Sequence, residues 1–110
     1  MRLSTDIWLS ALIRRAELAG AYATVIRKGD ARGGAVLVKV ADRRAGIFRL
    51  YAETVRGNGE RLWIQPLASV DEADLDAYAS RSSRIDPDVW VVEIDDVQGR
   101  HFLTESVEER

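Results

Sequence analysis

Two helical patterns enclose a series of short apolar runs along this chain. At 100° per residue, Asp6–Ala19 places Ser10, Arg14 and Glu17 on one narrow arc, while Ile7, Trp8, Leu9, Leu12, Ile13, Ala16 and Leu18 occupy most of the remainder. Thr5 or Asp6 supplies an N-cap, and Gly20 stands where a helix stops. So wide an apolar surface predicts a helix that is either deeply buried or shared with a second molecule. Tyr22–Lys28, Ala35–Ala41, Ile47–Thr54 and Arg61–Leu67 are rich in β-branched and aromatic residues and predict strands. Their connections, Gly29–Gly34, Asp42–Gly46 and Val55–Glu60, each combine Asp or Asn with Gly. Such short links favour antiparallel neighbours and predict a four-stranded meander.

A second helix is expected from Ser69, where Ser69 and Glu72 have capping-box spacing. Its apolar stripe is Val70, Ala77, Tyr78 and Ile85, with Leu75 and Ala79 at the margin. Asp86-Pro87 ends it and the strand Val89–Asp95 follows. Arg100–Leu103 offers a brief last strand, and residues 104–110 form an acidic tail expected to fray. The expectation is a single α+β domain over residues 1–103. It is an antiparallel four-stranded meander flanked by two helices, in the order α-β-β-β-β-α-β with a possible short last strand.

Composition narrows the function classes. A 110-residue chain with 46% hydrophobic residues can bury one core unaided. The formal charge of −2 gives no global attraction to nucleic acid or anionic lipid. The absence of cysteine excludes disulfides, thiolate nucleophiles and thiolate-bound metals. Arg14 and Arg15 follow the apolar run Ile7–Ile13 instead of preceding it, which is not a signal-peptide pattern, and the run is too short for a membrane span. A cytoplasmic protein without a membrane partner is expected.

The candidate chemistry is sparse. Asp86, Asp88, Glu93, Asp95 and Asp96 cluster, and converging acids can hold a divalent metal. The nuclease pattern of Pro-Asp followed by Glu-x-Lys fails, because Asp95 stands where lysine is needed and Asp88 faces away from Glu93. His101 is the only histidine, and Ser80, Ser82 and Ser83 lack a nucleophile elbow. The glycine groups precede strands, which suits hairpin turns better than phosphate cradles. No catalytic residue, metal ligand or cofactor is assigned.

The less apolar strand faces say more. Lys39, Arg49, Tyr51, Arg61 and Trp63 alternate with apolar residues, and on one side of a meander they would mix cations with rings. An ordinary charge ladder with Glu93 and Asp95, worth roughly 0.2–1 kcal/mol per pair, ranks first for such a face. A protein interface follows, and a platform for single-stranded nucleic acid comes last. Arg15 lies inside the apolar arc near Trp8, where emergence at the edge of the helix–sheet contact ranks ahead of stacking on Trp8 or meeting an acid across a subunit boundary.

The segments DIWLSALIRR, GAVLVKV at Gly34–Val40 and DPDVWVVEIDDVQGRHFL at Asp86–Leu103 resemble an uncharacterised family of small alphaproteobacterial proteins, the domain-of-unknown-function family numbered 1491. The resemblance implies a bacterial, stand-alone domain and brings no activity, cofactor or site residue. The leading expectation is a non-enzymatic module that binds protein, as a homodimer or with another partner, through Lys39, Arg49, Tyr51, Arg61, Trp63, Trp8 and Arg15. A single-stranded nucleic-acid module and a metal-dependent hydrolase near Glu93 and Asp95 stand behind it.

Overall fold

A computed structural model describes residues 3–55 and 57–109. Met1, Arg2, Arg56 and Arg110, which belong to the expected domain, third connection and tail, lie outside the described residues. The elements are α1 (Thr5–Leu18), β1 (Tyr22–Arg27), β2 (Val36–Asp42), β3 (Ile47–Val55), β4 (Arg61–Ile64), α2 (Glu72–Ile85), β5 (Trp90–Asp95) and β6 (Ser106–Glu108). The strands form one mixed sheet of six in the order β1-β5-β2-β3-β4-β6. β5 runs antiparallel to β1 but parallel to β2, and β6 runs parallel to β4.

This corrects the four-stranded antiparallel meander. β2, β3 and β4 do follow one another as antiparallel neighbours, but β5 inserts between β1 and β2. The reason lies in burial. β2 is buried at six consecutive positions, and β5 buries Trp90, Val91, Val92 and Ile94, so both strands need cover on each face. β1 is largely exposed and takes the edge.

The glycines between β1 and β2 are also corrected: they are not a hairpin turn. The 28–35 segment instead steps over the entry to β5. A Cβ on Gly29 or Gly34 would collide with the Asp88 carbonyl oxygen. Asp30 N–H donates to that same oxygen (3.0 Å), and Trp90 Nε1 donates to the Asp30 carbonyl (2.7 Å). Backbone approach this close excludes any side chain.

One core lies between α1 and the sheet, built from Leu9, Leu12 and Ala16 against Val36, Val38, Val40, Val92 and Ile94. The other lies under α2, where Leu75, Tyr78 and Ala79 meet Leu37, Leu50 and Val91. The stripe expected on α2 is therefore displaced, with Leu75 at its centre and Ile85 exposed. The capping box does not form either. Asp71 is the N-cap, accepting from Ala73 N–H at 3.0 Å, while Ser69 Oγ accepts from Asp71 N–H. Asp71 binds the N–H two residues ahead, and the nearer acceptor prevails.

Residues 100–103 form no strand. They cross the α1 face of the sheet and lead to β6, so the described part of the expected tail is paired and not frayed. The turn needs Phe102 in the left-handed region (φ 60°), and Arg15 donates to its carbonyl through both Nε (3.2 Å) and Nη2 (3.0 Å). Arg15 thus closes a contact within its own chain.

Candidate functional site

Register separates the residues expected on a single strand face. Val40 pairs with Arg49, Val38 with Tyr51 and Glu53 with Trp63, so Arg49, Tyr51, Arg61 and Trp63 share the α1 face. Lys39 pairs with Leu50 and Glu93 on the α2 face. The aromatic members are not a platform: Tyr51 and Trp63 are buried, Trp63 being only 1% exposed. Trp8 stacks on Trp63 with centroids 5.4 Å apart. Glu105 clamps both indoles, its Oε2 accepting from Trp8 Nε1 (2.9 Å) and its Oε1 from Trp63 Nε1 (3.1 Å). Arg61 pairs with Glu53 at 2.9 Å, and Arg49 stays exposed.

His101 belongs to the same closure. Its Nδ1 accepts from Leu103 N–H (2.9 Å), its ring meets Tyr51 edge-on, and burial holds its pKa below the ordinary 6.5. A nitrogen that accepts a backbone N–H is not free to act as a base.

The α2 face carries a charge network. Lys39, buried among Leu37, Leu50 and Val91, directs its ammonium at Glu72 (2.7 Å), Asp76 (2.8 Å) and Glu93 (3.1 Å). Glu72 and Asp76 are four residues apart on α2 and so reach the same point. Arg43, in the β2–β3 turn, meets Glu72 (3.1 Å), Glu93 (3.1 Å) and Asp95 (3.0 Å). Burial alone would lower the Lys39 pKa, but bonds to Asp76, Glu72 and Glu93 raise it above the ordinary 10.5. Glu72 is held low by Lys39 and then Arg43. Glu93 is pushed up by burial and pulled below its usual value by Lys39. Asp95 goes the other way, raised by burial and the neighbouring Glu93 charge against the pull of Arg43.

Three acceptors use all three ammonium donors, so Lys39 is a fixed cation and not a nucleophile. The Glu93–Asp95 pair is likewise bound to Lys39 and Arg43, and no group of three His, Cys, Asp or Glu among the described residues is placed to hold a metal. Asp96, Asp86 and Asp88 serve turns: Asp96 binds the Arg100 side chain, and Asp86 accepts from Asp88 N–H.

Sequence reasoning did not find Glu72 and Asp76 as partners of Lys39, nor Arg43 as the second cation on the same carboxylates. The signals were a lysine within the run VLVKVA and two acids at i, i+4 spacing.

Beside this network, α2 and strands β1, β5, β2 and β3 bound a groove of about 450 Å³. Leu50, Leu75, Ala79 and Val91 line its floor, Glu72, Asp76 and Glu93 one end, and Ile26 and Arg27 the strand side. No helix among the described residues is long and apolar enough to cross a membrane.

A small two-helix protein with a mixed sheet and a carboxylate-caged lysine is the class so defined. The chain belongs to the DUF1491 family, described as proteins of unknown function, whose model matches residues 3–104. It is similar to a DUF1491 family protein from Caulobacter crescentus, known from a crystal structure (70% identity, TM-score 0.95, covering 97% of this chain and 100% of that one). An NMR structure of a DUF1491 family protein from the same organism matches at 70% identity and TM-score 0.94, covering 99% of each chain. The solution structure of an A. tumefaciens protein is 33% identical, with TM-score 0.82 over 100% of this chain and 99% of that one. No curated protein matches. The resemblance to an alphaproteobacterial family of unknown function therefore holds.

Proposed function

We propose that the protein is a non-enzymatic interaction module that pairs with a second copy of itself through the outer edge of β1. One observation carries the reading. β1 is an edge strand six residues long that leaves Tyr22 (77%), Val25 and Ile26 (58%) exposed. An edge this apolar invites strand addition unless something covers it. Antiparallel pairing about a two-fold axis would join the two sheets, with one surface serving both copies. The engagement of Lys39, His101 and the acid pair in internal bonds supports a non-catalytic role.

This relocates the expected interface from the mixed face, whose rings lie under residues 101–107, to an edge that was not singled out. Light scattering across a concentration series is the test. The protein should dimerise, and Tyr22→Asp combined with Ile26→Lys should give a monomer whose far-ultraviolet circular dichroism is unchanged and whose melting temperature no longer depends on concentration. A native protein that stays monomeric at its highest attainable concentration refutes self-pairing.

A further inference from the structure

One helix is roughly two strand spacings wide. Here each face of six strands receives a single helix, and α2 packs on Leu37, Leu50 and Val91 around the middle of its face. The β1–β5 side of that face is left without a roof, and the groove lies there. About 450 Å³ is within the range of small-molecule sites, which combine an apolar floor with a few convergent polar groups.

The polar groups fix the sign of the ligand. Four carboxylates (Glu72, Asp76, Glu93, Asp95) meet three cations (Lys39, Arg43 and the groove-lining Arg27), leaving a formal excess of one negative charge, with Glu72, Asp76 and Glu93 themselves on the groove wall. Lys39 has no donor left for an anion. At the strand side, Arg27 Nη1 is committed to the carbonyls of Pro87 (3.0 Å) and Val89 (2.7 Å). Asp76 faces the opening with its side chain 58% exposed, and only its Oδ1 is engaged by Lys39.

We infer that this groove binds a small amphipathic cation, an ammonium or guanidinium on a compact apolar or aromatic body. The charged head sits at Asp76 and Glu72, and the body lies on Leu75, Ala79 and Val91. The inference goes beyond self-pairing; the two surfaces share Ile26, whereas Tyr22 belongs to the edge and is outside the groove lining.

The test titrates the full chain with three matched probes, tryptamine, tryptophol and indole-3-propionate, followed by amide chemical shifts. Tryptamine should give saturable shifts centred on Leu75, Asp76, Ala79 and Val91, and bind more tightly than the other two. Asp76→Asn, at an exposed position that leaves Lys39 two carboxylates, should weaken tryptamine about tenfold and leave tryptophol unchanged. Equal or tighter binding of the alcohol or carboxylate, shifts located elsewhere, or no saturable binding would overturn the assignment. So would an Asp76→Asn protein that binds tryptamine as the native one does. Repeating the titration on Tyr22→Asp separates loss of the groove from loss of self-pairing.

Discussion

Glu105 reaches two stacked indoles with one carboxylate, and in doing so fixes Trp8 of α1 to Trp63 of β4. Both bonds are charge-assisted and half shielded from water, so each contributes about 1–1.5 kcal/mol. Glu105→Ala should lower stability by about 2–3 kcal/mol in urea denaturation and reduce the near-ultraviolet circular dichroism of the tryptophan pair. Glu105→Gln, which retains an acceptor for one indole, should lose roughly half as much. Residue-scale logic of this kind was only partly visible beforehand. Trp8, Trp63 and Arg15 stood out for their chemistry, but their partners lie 97, 42 and 87 positions away. No local pattern reports such a separation.

At the scale of elements, the docking of α2 combines an apolar contact at Leu75 with the Lys39 network. The two differ in kind. Leu75 removes hydrocarbon from water, whereas a buried ion cluster gives little net stability yet is costly to break. Lys39→Met leaves Glu72, Asp76 and Glu93 gathered without their central cation. It should destabilise the fold by about 3 kcal/mol, below the full range for a buried pair because Asp76 can turn to solvent. The double variant Lys39→Met, Glu93→Leu should recover part of that loss, as measured by chemical denaturation. An isolated lysine within an apolar strand was legible in sequence. Which helix would answer it was not, because the α2 stripe is rotated by about a quarter turn from the expected one, which had put Leu75 at the margin of the contact.

Across the whole molecule, acid should unfold the protein in two stages. His101 has a folded pKa depressed below 6.5, so the unfolded chain binds the proton more readily. Its contribution is complete above 6.5 and is lost as pH falls through the folded value. Glu72 and Glu93 are depressed below 4.5 and Asp96 below 3.8, so their contribution is intact above those values and disappears further into acid. Asp95, raised above 3.8, offsets a little of this. The melting temperature should therefore hold near neutrality, dip as pH drops below 6.5, and fall again below about 4.5. His101→Gln, which keeps an acceptor for Leu103 N–H without titrating, should remove the first dip alone.

Period and punctuation along the chain determined where its elements lie. Apolar alternation marked the helices and the first five strands, since side-chain direction follows from backbone geometry within a few residues. The place of each strand in the sheet was decided only by tertiary structure. β5 displaces β1 from β2 because the two most apolar strands must lie where both faces are covered, and that competition involves the whole chain. The same insertion set Glu93 beside Lys39 and opened the groove, whereas the β2–β3 register put Lys39 and Arg49 on opposite faces. The family could be recognised from local segments, whereas every surface available for binding depended on which strands became neighbours.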